Sequence, residues 1–274
     1  VRSDKRSESV EEKILSFIVP SYNAERFLQK GLDSFLISEE VSRYLEVWVI
    51  SDGATDRTDE IARSYAAQYP EIFRFFCKEN GGHGSAINAG VKLVSGKYFK
   101  VLDADDWVDR QGLETFIREL AGCDSDVVIS NYREYDISKG KYTPRVSHLS
   151  DYKKTYCLSE LMEAWDKVHA CMAFWGITYR TDFYRRQGSE LLEGVFYEDQ
   201  EYATIPLSRA ETVSFSEASV YVYRLGDVNQ SVSGANQVRR IGHLAKVIRA
   251  LQAFESQTDG LPAGGFDYWK KKTA

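Results

Sequence analysis

No stretch of 18 apolar residues occurs in the 274-residue chain, so no transmembrane helix is expected. The first residues, VRSDKRSESVEEK, are polar and charged and lack the apolar core of a signal peptide. Basic residues are not in excess. Lys and Arg total 35 against 41 Asp and Glu, a net charge of −6, which argues against a general nucleic-acid binder. The four cysteines, Cys77, Cys123, Cys157 and Cys171, form no C-x-x-C pair, which excludes zinc-ribbon and thioredoxin-type sites. They read as buried free thiols of a reducing compartment, which points to the cytoplasm. No internal repeat and no low-complexity linker interrupts the sequence. Neither the G-x-G-x-x-G dinucleotide fingerprint nor Walker spacing with Lys is present.

What remains is a globular composition: 43% hydrophobic and 28% charged, with 17 Tyr, 14 Phe and 5 Trp. Short apolar runs alternate with helical patterns over the first half. Strands are expected over Ile14 to Val19, Leu45 to Ile50, Ile72 to Cys77, Tyr98 to Leu102 and Val127 to Ser130. Helices are expected over Ala24 to Ser38, Asp56 to Tyr69, Ser85 to Val94 and Leu113 to Leu120. Such alternation predicts βαβ units and a parallel sheet covered on both faces.

Beyond Asn131 the pattern changes. Tyr132 to Val146 reads as a hairpin turning at Ser138-Lys139-Gly140-Lys141, and Leu158 to Val168 as a helix. Trp175 to Tyr179 is strand-like, Glu201 to Arg209 a short helix, Val213 to Tyr223 paired strands and Ile241 to Phe254 an amphipathic helix. We read a polar tail over 1–13, a first half over 14–130 and a second half over 131–274, in one continuous domain.

Ligands of parallel α/β sheets gather beyond the carboxyl ends of the strands. Four polar clusters fall there: Pro20 to Asn23, Ser51 to Gly53, Asn80 to Gly84 and Asp103 to Trp107. In the last, Asp103-Ala104-Asp105-Asp106 sets three carboxylates in four residues. In a strand-end turn Asp103 and Asp105 can share a side, and like charges that close repel unless a cation intervenes. A divalent ion bridging a diphosphate would serve. A solvated acidic turn capping the next helix is the alternative, and both readings stay open. Asp52 can accept from a base or a ribose hydroxyl, or simply form an Asx turn. Glu79 to Gly84 is a backbone-rich loop before a helix, suited to phosphates.

Together these residues resemble the family 2 glycosyltransferases of the GT-A fold. The resemblance covers roughly Ile14 to Val232 and rests on F-I-V-P-S-Y-N (Phe17 to Asn23), S-D-G-A-T-D (Ser51 to Asp56), E-N-G-G-H-G-S-A-I-N-A-G (Glu79 to Gly90), G-K-Y-F-K-V-L-D-A-D-D-W (Gly96 to Trp107), F-Y-E-D-Q-E-Y (Phe196 to Tyr202) and Y-R-L-G-D-V-N-Q-S-V-S (Tyr223 to Ser233). It implies an α/β fold with a Rossmann-like, mostly parallel sheet flanked by helices and a mixed α+β acceptor-side C-terminal half. It implies a nucleotide-sugar donor, usually a UDP-sugar, a divalent Mn2+ or Mg2+ and transfer with inversion. The nucleotide-sugar site it implies takes Pro20, Tyr22, Asn23, Ser51, Asp52, Gly82, Asp103, Ala104 and Asp105. Asp103 and Asp105 match the D-x-D metal motif, and Glu198-Asp199 the acidic pair that supplies the catalytic base, Asp199 first and Glu198 second. Two positions depart from the pattern: Ser51 stands where an Asp is usual, and Ile87 where an Arg is frequent. Lys78, Lys100 or Arg224 are candidates to replace that cation.

The resemblance implies hexosyl or N-acetylhexosaminyl transfer to a carbohydrate or lipid-linked acceptor, as in polysaccharide biosynthesis. Nucleic acid is not a partner on this reading. Peripheral association with the inner face of a membrane and homo-oligomerisation stay open. A nucleotidyltransferase would need a basic glycine-rich loop after the first strand, yet no Lys or Arg follows Pro20 until Arg26. A non-catalytic sugar- or nucleotide-binding scaffold is the third reading. Among Tyr132, Tyr135, Tyr142, Tyr152, Tyr156, Trp165, Phe174 and Trp175, some are expected to stack on an acceptor sugar and most to pack in the core. The C-terminal amphipathic helix is expected to pack on the core.

Overall fold

The computed structural model describes residues 12–226 and 240–273. Most of the polar tail, and the stretch from Asp227 to Ser233 in the last motif, lie outside the described residues.

The first half folds as its hydrophobic runs require. Strands β1 (Leu15–Ser21), β2 (Leu45–Asp52), β3 (Phe73–Lys78) and β4 (Tyr98–Val101) pair in parallel, with Leu15 opposite both Leu45 and Tyr98. All seven residues of β1 are buried, which is why LSFIVPS is apolar almost throughout rather than alternating. Phe17 and Val19 point to one core cluster with α1 (Leu28–Ser34), α3 (Thr58–Gln68) and α5 (Arg110–Ala121). Ile18 points to the other, beneath α4 (His83–Leu93). Gly90 lets α4 lie directly on β1, since a Cβ there would meet Ile18 Cγ2 at 2.5 Å. A short α2 (Glu39–Ser42) precedes β2.

The sheet continues into the second half without a break. Its strand order is β3-β2-β1-β4-β8-β6-β9-β5, with β7 on the side of β6. Here β5 is Trp107–Val108, β6 Val127–Asp136, β7 Lys141–Arg145, β8 Ile177–Arg180 and β9 Val213–Leu225. β8 runs antiparallel to both β4 and β6, while β6 and β9 are parallel. Helices α6 (Leu158–Glu163), α7 (Trp165–Val168), α8 (Thr181–Arg186), α9 (Asp199–Ser208), α10 (Ile241–Ala253) and α11 (Gly265–Thr273) complete the described chain.

Several expectations are corrected. Val213 to Leu225 is one long strand, not a pair. Its ladder to β6 jumps from Ser216 to Ser219 between Ser130 and Asn131, so a bulge takes the place of the expected turn. The helix over Leu158 to Val168 breaks at Ala164, which leaves the helical region at φ −99° and ψ 19°. The first helix is only Leu28–Ser34. Of the thiols, Cys171 is buried, but Cys77 is exposed. α10 buries Val247 and Leu251 while Ile241, Leu244 and Ile248 stay exposed, so only one side of it packs on the core. No helix among the described residues is long and apolar enough to cross a membrane.

Candidate active site at the carboxyl ends of the parallel strands

Strand order reverses at β1, with β2 on one side and β4 on the other. Loops leaving such a point splay apart and open a crevice. The loop after β1 carries Tyr22, 54% exposed, and Asn23, whose left-handed φ of 48° is held by Oδ1 accepting from Thr55 N at 2.8 Å and Thr55 Oγ1 at 3.2 Å. Pro20 and Ser51 lie buried within β1 and β2, and Ser51 Oγ donates to Asp59 Oδ1 at 2.5 Å.

Asp52 ends β2 and is 3% exposed. Its carboxylate accepts from Lys78 Nζ at 2.9 Å, Gly81 N at 3.0 Å and Gly82 N at 2.7 Å. Asn80 Nδ2 donates to the Asp52 carbonyl at 2.8 Å. Asp52 therefore shapes the glycine loop. Gly82 has φ +88°, and Gly194 N donates to the Gly81 carbonyl at 2.6 Å, which ties this loop to the segment before α9. Gly84 permits the closest approach: a Cβ there would meet the Leu192 carbonyl at 2.4 Å and Glu198 Cγ at 3.0 Å.

His83, at the start of α4, joins the two acidic motifs. Its Nε2 lies 3.0 Å from Asp103 Oδ1 and its Nδ1 2.6 Å from Glu198 Oε1. Burial opposes its charge, but hydrogen bonds and attraction from Asp103 and Glu198 hold its pKa well above the usual 6.5. Asp199 opens α9, and Tyr197 two residues before it has φ 75°. Burial, then repulsion from Glu198 and Asp103, pushes the Asp199 carboxyl up to about 6.

The three carboxylates after β4 divide. Asp103 and Asp105 keep side-chain exposures of 29% and 34%, and Ala104 between them is half-buried. Arg224 Nη1 sits 3.5 Å from Asp105 Oδ2. Asp106 is buried and binds β9: Tyr221 Oη donates to it at 2.5 Å and Arg224 N at 2.7 Å. Tyr221 Oη in turn accepts from Asp103 N at 3.1 Å.

The structure thus brings together Asp52, Gly82, Asp103, Glu198 and Asp199 through the glycine loop and His83. The sequence motifs assign no role to His83 or to Tyr221, whose partners lie far away in the chain. Among the candidate cations, Lys100 is ruled out as a surface group: it is fully buried and donates to the Ile177 carbonyl at 3.0 Å. Lys78 and Arg224 lie at the site, each beside a carboxylate.

A parallel sheet with a switch point, a glycine loop and a D-x-D turn at its carboxyl rim defines a GT-A type α/β protein. Residues 16–187 match Glycosyl transferase family 2, and the chain belongs to that family. It is 28% identical over 221 residues to the glycosyltransferase GlyA of Streptococcus pneumoniae serotype 4, covering 79% of this chain and 31% of that one. It is 27% identical over 212 residues to the glycosyltransferase EpsJ of Bacillus subtilis, covering 77% and 61%. The chain thus spans about a third to three fifths of those relatives. Its fold is similar to S. aureus TarS 1-349 in complex with UDP-GlcNAc, at TM-score 0.63 and 21% identity over 86% of this chain and 66% of that one. It is also similar to the mannosyltransferase PcManGT from Pyrobaculum calidifontis in complex with GDP-Man and Mn2+, at TM-score 0.62 and 18% identity over 98% and 73%.

Proposed function

We propose that this chain transfers a sugar, with inversion, from a nucleotide-diphosphate sugar, a UDP-sugar in the first instance, to a carbohydrate or lipid-linked acceptor. The observation that carries the reading is the convergence of Asp103 and Glu198 on His83 beside the glycine loop, with Asp199 next to Glu198 at the start of α9. Residues 14–130 form the donor half and 131–274 the acceptor half. Tyr22 and Asp52 flank the nucleoside, and the Gly81–Gly84 backbone approaches the diphosphate.

Asp103 and Asp105 suit a divalent ion, Mn2+ or Mg2+: both are hard oxygen donors and both keep open surface, leaving further positions to phosphate oxygens. Such an ion would neutralise the charge that grows on the leaving diphosphate. Asp199 is the base. A carboxyl held near 6 is ionised at neutral pH yet basic enough to take a proton from an attacking hydroxyl. Glu198, buried and engaged by His83, orients the start of α9 rather than meeting the acceptor.

The test is a donor panel. The protein is incubated with Mn2+ and UDP-, GDP- and dTDP-sugars, and nucleotide diphosphate release and thermal shift are read. One base class should stabilise the protein and support release. No shift and no release with any donor would favour a scaffold instead.

A further inference from the structure

The ladder β7-β6-β9-β5 extends past the D-x-D turn and has two unlike faces. On one, Tyr132 and Tyr221 are buried and Tyr223 stacks on Trp175 at 4.1 Å. On the other, the register builds a row that is buried at Val222, mostly buried at Arg224 and open at Tyr142. Arg224 is the partner of Tyr135, and Tyr135 is the partner of Tyr142. Two residues along, on the same face, Trp107 is the partner of Val222 and Val222 of Arg133. Direct cross-strand partners share a face, so these side chains form one surface stepping about 4.8 Å per strand.

The row begins at the acidic turn, because Arg224 lies 3.5 Å from Asp105. It then crosses aromatic rings: Trp107 and Tyr135 at 5.6 Å, Tyr135 and Tyr142 at 4.6 Å. Tyr142 is 46% exposed. Cations border the rings. Lys30 Nζ stands 3.1 Å over Trp107, and Arg133 Cζ 5.3 Å over Tyr142 while its guanidinium is anchored on Asp109 at 2.5 Å. Lys30 thus covers one face of Trp107 and Arg133 one face of Tyr142, and the remaining ring surface of the half-exposed Tyr142, flanked by charged donors, fits a ligand that is apolar on one side and rich in hydroxyls at its rim. A chain of pyranose rings has that chemistry, with C–H faces for Tyr135 and Tyr142 and hydroxyls for Lys30 and Arg133.

We infer that this face, from Arg224 across Tyr135 to Tyr142, binds a carbohydrate acceptor of more than one sugar and leads its reacting end to Asp105. The inference rests on the transferase reading for the direction of the chain, not for the existence of the surface. It makes Tyr142 an acceptor-binding residue well clear of donor, metal and base.

The experiment is calorimetric titration, with tryptophan fluorescence in parallel, using maltohexaose, chitohexaose and a hexamer of polygalacturonate as probes. At least one probe should bind. Tyr142→Ala should weaken it about tenfold or more, Tyr142→Phe should retain binding, and UDP affinity with Mn2+ should be equal in all three proteins. Lys30→Gln, at an exposed site, supplies an independent variant with a loss of about threefold. Binding of none of the probes, or wild-type affinity in Tyr142→Ala, overturns the inference. An oligosaccharide that binds through Tyr142 in a protein that takes no nucleotide sugar would leave the surface standing and remove the transferase reading. A bound donor with no bound oligosaccharide does the reverse.

Discussion

His83 Nδ1 and Glu198 Oε1 meet at 2.6 Å although 115 residues separate them in the chain. The contact links the glycine loop to α9, and its carboxylate end is buried: Glu198 is 3% exposed, and its second oxygen has no hydrogen-bond partner among the described residues, while the His83 side chain keeps 31% exposure. A carboxylate in that position needs its cation.

The first prediction follows from the sign of the His83 shift. Its folded pKa lies above the ordinary value, so the stability it contributes is complete below about pH 6.5 and is lost as pH climbs through the raised folded value. The melting temperature of the wild type should fall toward alkaline pH more steeply than that of His83→Gln, measured in the same buffers without metal. Parallel curves would mean that the imidazole is neutral throughout.

Asp105 and Asp106 should behave oppositely although they are neighbours. Asp105→Ala removes a partly exposed carboxylate beside Arg224 and is expected to weaken Mn2+-dependent nucleotide binding with less change in melting temperature than Asp106→Ala. Asp106→Ala removes the partner of Tyr221 and of Arg224 N, and should cost about 1–3 kcal/mol of stability. Denaturant titration and calorimetry of the two variants separate the effects. Equal nucleotide affinity with Mn2+ and with EDTA in the wild type would falsify the metal assignment.

Asp52→Ala releases Lys78, Gly81 and Gly82 together. Affinity for UDP should drop, and discrimination between UDP and GDP should narrow. If both affinities hold while the melting temperature falls, Asp52 only shapes the loop.

Asp199 carries a cost that its removal would reveal. Its carboxyl is raised to about 6 by burial, so its folded state prefers the proton and loses stability as pH rises from the ordinary 3.8 through that value. Asp199→Asn should therefore gain about 2–4 °C at pH 7.5, a conservative figure for a half-buried group. The same change should lower transfer kcat about a hundredfold or more with donor affinity intact. The wild-type kcat should rise with pH through an inflection near 6. Normal turnover in the variant, alongside a collapse in Glu198→Gln, would shift the base by one residue.

Much of this was readable from residue order. The alternation from Leu15 to Val101 spelled out β1, β2 and β4 because these three are buried on both faces and so read as continuous apolar runs, while β3, at the sheet edge, buries only Phe73. Asp103 and Asp105 stood out because charge directly after such a run has to lie at the rim, whereas Asp199 came only from the match of Glu198-Asp199 to the family's acidic pair. The bulge in β9 was not readable, since Glu217-Ala218-Ser219 carries the small and polar residues of a turn, and only pairing with β6 keeps the strand whole. Nor was the role of His83, whose partners come from the turn after β4 and the N-cap of α9. The burial of Lys100 was hidden for another reason: its position on β4 gives no sign that β8 will cover that strand edge.

That last pairing has a consequence for dissecting the protein. β8, drawn from residues 177–180, is wedged between β4 and β6, and Lys100 reaches from β4 to a β8 carbonyl. A fragment ending near residue 130 would leave the inner edge of β4 bare and strand a buried ammonium without its acceptor. The N-terminal half is thus expected to aggregate when expressed alone. Mixing it with the complementary piece should restore a soluble particle only if both chains are present as the sheet forms.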